Sequence, residues 1–432
     1  MASADPVIAV IGAGPAGLTA AAEMSRQRVG QVIVIDRESE PGGIPRHTHH
    51  TGFGLRDVHR NLRGPAYARR LAETARTAGA KLWTSAAVTG WSANGDLEIT
   101  SPDGRLSLRA DAIALCTGCR ERPRAARLVP GSRPDGVMTT GTLQQLVYLK
   151  RRSVGRRAVI VGAEHVSYSA VATLHHAGAS IAALTTELPN HQSYAIFGVG
   201  ALLRYHAPTL ANTKLTRIHG RFRVEGVELT DLITGAVRDV ACDLVVFTGD
   251  WAPDSELAVL GGLEMDGATG GPLVDTKLRT TRPGTFAAGN LTHPAETADI
   301  AALSGRHLAT SVASYLHADD AWPITHSRLV CGPPLRWIVP QLIAHDFTPP
   351  PRGRFVFRSG LVVRRPTITI RQSGDTLWQG RKRQLVPNRS ASLPAAWLEY
   401  VALPNSVDVA IIAAEESARE RTPAEPGHDQ ER

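Results

Sequence analysis

Short runs of apolar, β-branched residues alternate along this chain with longer stretches of helical periodicity. That alternation predicts an α/β fold with parallel sheets. The first run, Val7–Ile11, is apolar throughout, as a strand covered on both faces should be. A glycine-rich turn follows at once, then a helix pattern over residues 18–26 and a second apolar run over 32–35. The same order returns in mid-chain: a run at 158–161, Gly162, a helix pattern ending at His176, Gly178, and a run at 181–184. Runs at 111–115 and 243–247 also read as strands, each just ahead of a Thr-Gly pair. Another at 284–289 precedes a helix pattern near 295–303. Past about residue 322 the texture changes to strand patterns at 354–357, 361–364 and 367–371, a proline turn at 349–351 and a short helix at 397–401.

The turn after the first strand carries chemistry. Gly12, Ala13, Gly14, Pro15, Ala16 and Gly17 form a GxGxxG fingerprint between a strand and a helix, and Asp36 closes the next strand about 20 residues on. Gly12 permits the tight turn, Gly14 lets the backbone approach a pyrophosphate, and Gly17 lets helix and strand pack closely. The helix start offers free N–H groups to the phosphates, and Asp36 is placed to accept from ribose hydroxyls. The expected fold is therefore two Rossmann-like dinucleotide-binding domains, the second inserted in the first, with a small β-rich C-terminal domain. The expected divisions are 1–150, first part of the first domain; 151–275, the insert; 276–322, the return; 323–414, the β-rich domain; and 415–432, a charged tail expected to be disordered.

The second copy of the fingerprint is eroded. It reads Gly162, Ala163, Glu164, His165, Val166, Ser167, with only the first glycine kept. Glu164 stands where a pyrophosphate would approach, and two like charges about 4 Å apart cost around 1 kcal/mol in water and several times that near a protein surface. Glu187 follows the next strand, roughly where a ribose-binding acid would sit. The expectation is a domain that keeps its fold, with the balance of residues against a bound NAD(P)H.

Further motifs surround the first fingerprint: Gly42 and Gly43 after Asp36 and Arg37, the corner Cys116, Thr117, Gly118, and Gly289 with Asn290 ahead of the last helix pattern. In this order they resemble the two-dinucleotide-binding-domain flavoproteins of the thioredoxin- and glutathione-reductase type, over roughly residues 5–318. That resemblance implies FAD at the first fingerprint, with Val88 beside the adenine, Gly42 and Gly43 toward the flavin, and Thr117 and Gly118 supporting the cofactor. The family usually has Asp where this chain has Asn290. Asn can still accept a hydrogen bond and also donates one.

The stretches 42–54, 116–147 and 161–170 look more closely like the FAD-binding α subunits of bacterial amine, opine and proline dehydrogenases and of hydrogen cyanide synthase. The resemblance implies the FAD-dependent flavin subunit of a multi-subunit dehydrogenase that passes electrons from an amine, amino-acid or hydroxy-acid substrate to an acceptor. It also implies a second flavoprotein subunit, which oxidises the substrate, and a [2Fe-2S] protein beside it. The alternatives are a stand-alone NAD(P)H-dependent reductase and a non-catalytic flavoprotein subunit. By family geometry the loop after Gly43 runs past the flavin, which makes His47, His49 and His50 the candidate catalytic residues; His293 and Glu296 lie similarly. The histidines have no carboxylate or cysteine beside them in sequence, so no metal site is expected.

Composition narrows the class further. The chain has 432 residues, 43% of them hydrophobic and 20% charged, with a formal charge of +8. Its arginines are mostly scattered, so no nucleic-acid partner is expected. No apolar run of eighteen residues exists, and the N-terminus lacks a leader pattern, so a cytoplasmic protein without a membrane span is expected. Cys116 and Cys119 have CxxC spacing, but Cys116 falls in the Thr-Gly corner and neither family position for a working disulfide holds a pair; no catalytic disulfide is expected. Cys331 is alone in the C-terminal part, too few thiols for a four-thiolate cluster.

Overall fold

The computed structural model describes residues 5–317, 322, 327–402 and 409–414. The expected boundary at 323 and the expected disordered tail, 415–432, lie outside the described residues.

The opening unit forms as its pattern predicts. Strand β1 (Val7–Ile11), helix α1 (Pro15–Gln27) and strand β2 (Gln31–Ile35) make a βαβ crossover, with Ile8 beside Val32 and Ile11 beside Ile35 in the parallel pair. Three further parallel strands complete the sheet: Lys81–Trp83 outside β2, Ala112–Leu115 beside β1, and Thr285–Ala287 beyond it. Ile8, Val10, Leu18, Met24 and Phe286 are buried in its core. The chain thus leaves this sheet after Leu115 and returns to it about 170 residues later.

The second sheet repeats the plan. Strands β3 (Arg157–Val161) and β4 (Ser180–Thr185) flank helix α2 (His165–His176), and the parallel order runs Val137–Thr139, Leu244–Phe247, β3, β4, Thr209–Leu210. An antiparallel ladder, Cys119–Glu121 against Trp251–Pro253, joins the two units. Val137–Thr139 pairs into the second sheet, ahead of residue 151, while Leu257, Leu263 and Leu278 pack in the first core. We therefore place the two crossings at the ladder rather than at 150 and 275.

Two three-stranded meanders lie beyond this plan, one beginning at Ala87–Trp91 and the other at Thr213–His219, appended to the first and second units. Helix α3 (Ala298–Leu316) starts later and runs longer than the 295–303 stretch that the sequence suggests. Ala295 has φ of 64°, which holds residues 295–297 in an open loop, and the apolar face continues through Leu308, Ala309 and Val312. At Gly305 this helix crosses α1 so closely that a Cβ would stand 2.0 Å from the Ala16 carbonyl oxygen.

The C-terminal part is β-rich. Leu335–Val339, Arg354–Ser359 and Ala391–Pro394 form one antiparallel sheet, and Thr367–Gln372 with Asp375–Arg381 belong to another, around Phe355, Phe357, Ile368, Ile370 and Trp397. Trp337 and Val339, from the first of these sheets, reach into the core of the first dinucleotide unit. Among the described residues no helix is long and apolar enough to cross a membrane.

Candidate functional site

A cavity of about 1290 Å³ opens where the first sheet ends, bounded by the first unit, the inserted unit and the C-terminal sheet. Such a volume exceeds the usual range for small ligands, about 300–1,000 Å³, and suits a dinucleotide with room beside it. The carboxyl ends of parallel strands are where such folds bind ligands.

The glycines explain the shape of its floor. Gly12 sits at φ of 104°, and a Cβ there would stand 2.4 Å from the Cys116 carbonyl oxygen; at Gly17 a Cβ would stand 2.0 Å from the Gly12 carbonyl oxygen. These two positions are closed by backbone. Gly14 is different: a Cβ there would meet nothing within 4 Å, and the residue faces the cavity at the N-cap of α1. The backbone N–H groups of the first turn of α1 therefore face open space, the arrangement that receives phosphate oxygens.

The other expected residues divide into lining and support. Pro15, Ala16, Asp36, Arg37, Gly43, Val88, Thr117, Gly118 and Asn290 line the cavity together with Gly12 and Gly14. Ala13, Gly17, Gly42 and Gly289 lie behind it. Ala13 donates its N–H to the Asp36 carboxylate, Gly42 N–H donates to the Ala13 carbonyl at 2.8 Å, and Gly289 backs onto Ala16. Asp36 also accepts from the Glu38 N–H at 2.8 Å, which orients its carboxylate. Arg37 pairs with Asp254 at 3.1 Å, and Thr117 donates its hydroxyl to the Asp254 carbonyl at 2.7 Å, so the strap from the inserted unit closes over this end.

Asn290 has a structural reason to be Asn. Its Nδ2 donates to the Glu296 carbonyl at 3.2 Å, and its Oδ1 accepts from the Glu296 N–H at 3.0 Å. An aspartate could make only the second bond. The amide thus closes the loop ahead of α3 while still lining the cavity.

The three histidines separate. His47 is buried in the cavity wall with Nδ1 unpartnered, and burial pushes its imidazole down to about 4, so it is neutral at physiological pH. His50 lies at the rim, its Nδ1 2.6 Å from the Thr51 carbonyl oxygen. His49 does not line the cavity; it stacks on Tyr148, ring centres 3.9 Å apart. Glu296 lines the cavity, whereas His293 packs behind it against Trp337, ring centres 5.1 Å apart. Among the described residues no cluster of three metal-ligating side chains occurs.

Sequence reasoning missed Glu121. It sits on the joining ladder, lines the cavity and is 8% exposed; its Oε2 accepts from the Gly141 N–H at 2.8 Å while Oε1 has no partner. Burial raises its carboxyl from 4.5 to about 7. The folded chain then holds a proton that the unfolded chain releases between about pH 4.5 and 7, so the folded state loses stability as pH rises through that window. Glu121→Gln should match the native protein in stability near pH 4.5 and exceed it at pH 8, by up to a few kcal/mol at about 1.36 kcal/mol per pH unit, read as a higher melting temperature. Parallel melting curves that stay superimposed at both pH values rule this out.

Cys116 and Cys119 are both free, and burial pushes both thiols up to about 12. A working dithiol needs a thiolate, and these side chains hold their protons.

In the inserted unit Glu164 is 6% exposed and caps α2. Its carboxylate accepts from the Ser167 N–H, the Ser167 hydroxyl accepts from the Glu164 N–H at 3.1 Å, and the same hydroxyl lies 2.6 Å from that of Thr248. A Cβ on Gly162 or Gly249 would stand 2.8 or 2.7 Å from its oxygens. The carboxylate therefore fills the pocket between the two glycine turns, at the N-terminus of α2.

Comparisons with known proteins agree with this architecture. A family model described as pyridine nucleotide-disulphide oxidoreductase matches residues 6–305. An opine oxidase subunit from Rhizobium meliloti is 27% identical over 321 residues, covering 66% of this chain and 58% of that protein. Thus the match spans less than two thirds of that relative's length. A thioredoxin reductase structure from T. acidophilum superposes with a TM-score of 0.60 at 22% identity, over 71% of this chain and 97% of that one. The L-proline dehydrogenase structure from P. horikoshii gives 0.52 at 16% identity, over 74% and 57%. With the fold, the first fingerprint and the family match in agreement, this chain belongs to the pyridine nucleotide-disulphide oxidoreductase family.

Proposed function

We propose that the cavity holds FAD on the first fingerprint and that the chain is the flavin subunit of a dehydrogenase oxidising an amine, amino acid or hydroxy acid. Gly14 and the N-terminus of α1 would take the pyrophosphate, Asp36 the ribose hydroxyls, Val88 the adenine side, and Gly43, Thr117, Gly118 and Asn290 the rest of the cofactor. Bound FAD supplies an acceptor for a hydride or an electron pair. The chain's own residues have the remaining work. His47, neutral and hydrogen-bonded to Gln144, orients a substrate N–H or O–H. Glu121, held near 7, is the cavity carboxyl best matched to receive the proton released at neutral pH.

The observation that carries this reading over a nicotinamide-driven reductase is Glu164. Its buried carboxylate stands at the α2 N-terminus, where a nicotinamide cofactor's phosphates would otherwise bind. Electrons then have to enter from a substrate at the flavin. The name carried by the opine oxidase relative, itself one subunit of its enzyme, supports a multi-subunit assembly. A [2Fe-2S] protein and a second flavoprotein subunit are the proposed partners in that assembly. The test is anaerobic mixing of the flavin-loaded protein with amino acids, 2-hydroxy acids, N-carboxyalkyl amino acids and simple amines. Bleaching of the oxidised flavin band is expected with at least one class. No bleaching by any class, with rapid bleaching by NADH or NADPH, overturns the reading.

A further inference from the structure

Arg358 is the group that neither the fingerprint nor the family motifs absorb. It sits on the strand Arg354–Ser359 of the C-terminal sheet and lines the cavity. The residue is 6% exposed. Its guanidinium lies over the ring of Trp337, its cross-strand neighbour, 5.1 Å from the centroid. One nitrogen donates to the Ala295 carbonyl at 3.1 Å and to the Ser390 hydroxyl at 2.9 Å. Neither partner is an anion, and Nε is buried with no partner at all. The carbonyl partner belongs to the loop that Asn290 closes, so the cation is fixed to the wall of the cavity.

The Glu296 side chain acts on this cation through space but forms no ion pair or hydrogen bond with it. A buried cation that no anion touches is costly, so proteins keep one where a ligand completes it. Nearby charge reinforces the point. Arg56 and Arg352 also line this wall, while both oxygens of Asp299 are taken by the backbone N–H groups of Gly54 and Arg56. The planar fork of an arginine matches the two oxygens of a carboxylate. Stacking on Trp337 and the bond to Ser390 hold that fork at a set angle.

We infer that Arg358 is the anchor for the carboxylate of an organic acid substrate, delivered into the flavin cavity by the C-terminal sheet. This rests on the proposed dehydrogenase reading and narrows its substrate class: amino acids, hydroxy acids and N-carboxyalkyl amino acids fit, and simple amines do not. It also gives the C-terminal domain a part in the site beyond capping the first core.

The test uses unreactive probes, so binding is read without turnover. The flavin-loaded protein is titrated with acetate, malonate and succinate, against chloride and sulfate at matched ionic strength. Flavin absorbance and tryptophan emission report binding. Saturable carboxylate binding is expected, weakened at least about tenfold in Arg358→Gln, as loss of a charge-assisted hydrogen bond implies. If Arg358→Gln does not fold, Arg358→Lys and Ser390→Ala carry the test: the first keeps the charge without the fork, the second removes the hydroxyl that holds it, and both should weaken binding with flavin content unchanged. Three results overturn the inference: no saturable carboxylate response, equal responses to chloride or sulfate, or variants that bind succinate as the native protein does. An altered flavin potential with unaltered succinate binding would assign Arg358 to the cofactor and also overturn it. If no substrate class bleaches the flavin yet succinate binding depends on Arg358, the carboxylate site stands and the dehydrogenase reading alone fails.

Discussion

A Gly12→Ala protein is expected to emerge without flavin and with much reduced stability. The added methyl would stand 2.4 Å from the Cys116 carbonyl oxygen, on a residue held at φ of 104°. Neither neighbour can yield, because Gly12 donates its N–H to the Ile35 carbonyl at 2.8 Å and Cys116 donates to the Ile11 carbonyl at 2.8 Å. Overpacking of this kind costs about 1–3 kcal/mol, and an L-residue at left-handed φ about 1–2 kcal/mol more. Gly14→Ala separates folding from cofactor binding. Its methyl meets nothing within 4 Å, so the chain should fold with its melting temperature intact before flavin is added. That methyl nevertheless points into the space assigned to the pyrophosphate, and FAD affinity should fall about tenfold or more, roughly 1.4 kcal/mol. Flavin per chain and melting of the flavin-free proteins check both. A Gly14→Ala protein with full flavin would move the pyrophosphate elsewhere.

NADH and NADPH are expected to leave the flavin oxidised under anaerobic conditions, on a timescale where a nicotinamide-linked reductase would bleach within seconds. The cause is the Glu164 carboxylate. It is buried at the N-cap of α2, one of its oxygens unpartnered, and stands within reach of both glycine turns, at Gly162 and Gly249. An incoming phosphate would have to displace it or sit against it. Glu164→Gly should cost about 1 kcal/mol of stability through the lost cap, less if glycine itself caps well. It should also raise affinity for NADPH about tenfold or more in calorimetric titration, the scale of one relieved charge repulsion. Prompt bleaching of the unmodified protein by either nucleotide would show that the carboxylate yields.

Much of this architecture is legible in the chain because its signals are local. Val7–Ile11 and Ala158–Val161 are short apolar runs that each end at a glycine, and buried parallel strands have few alternatives. The GxGxxG turn can be interpreted residue by residue because Gly12 and Gly17 are closed by backbone while Gly14 faces open space. What escapes depends on distant pairings. Nothing near Glu121 in sequence shows that a ladder with Trp251–Pro253 will bury it, and nothing near Arg358 shows that its strand will reach the flavin cavity. In sequence His49 is equivalent to His47 and His50, and only the stacking on Tyr148 turns it away. The crossing points are displaced for the same reason: Val137–Thr139 pairs with Leu244–Phe247, a partner far along the chain.

The self-capped α2 has a consequence for how the protein answers its surroundings. A domain that waits for a soluble cofactor gains stability as that cofactor accumulates, in proportion to RT ln(1 + [L]/Kd). Here the anion is part of the chain and is present at a fixed effective concentration. The inserted domain should therefore keep the same rigidity whether the cell's nicotinamide pool is full or depleted, which makes it a constant scaffold rather than a metabolic sensor.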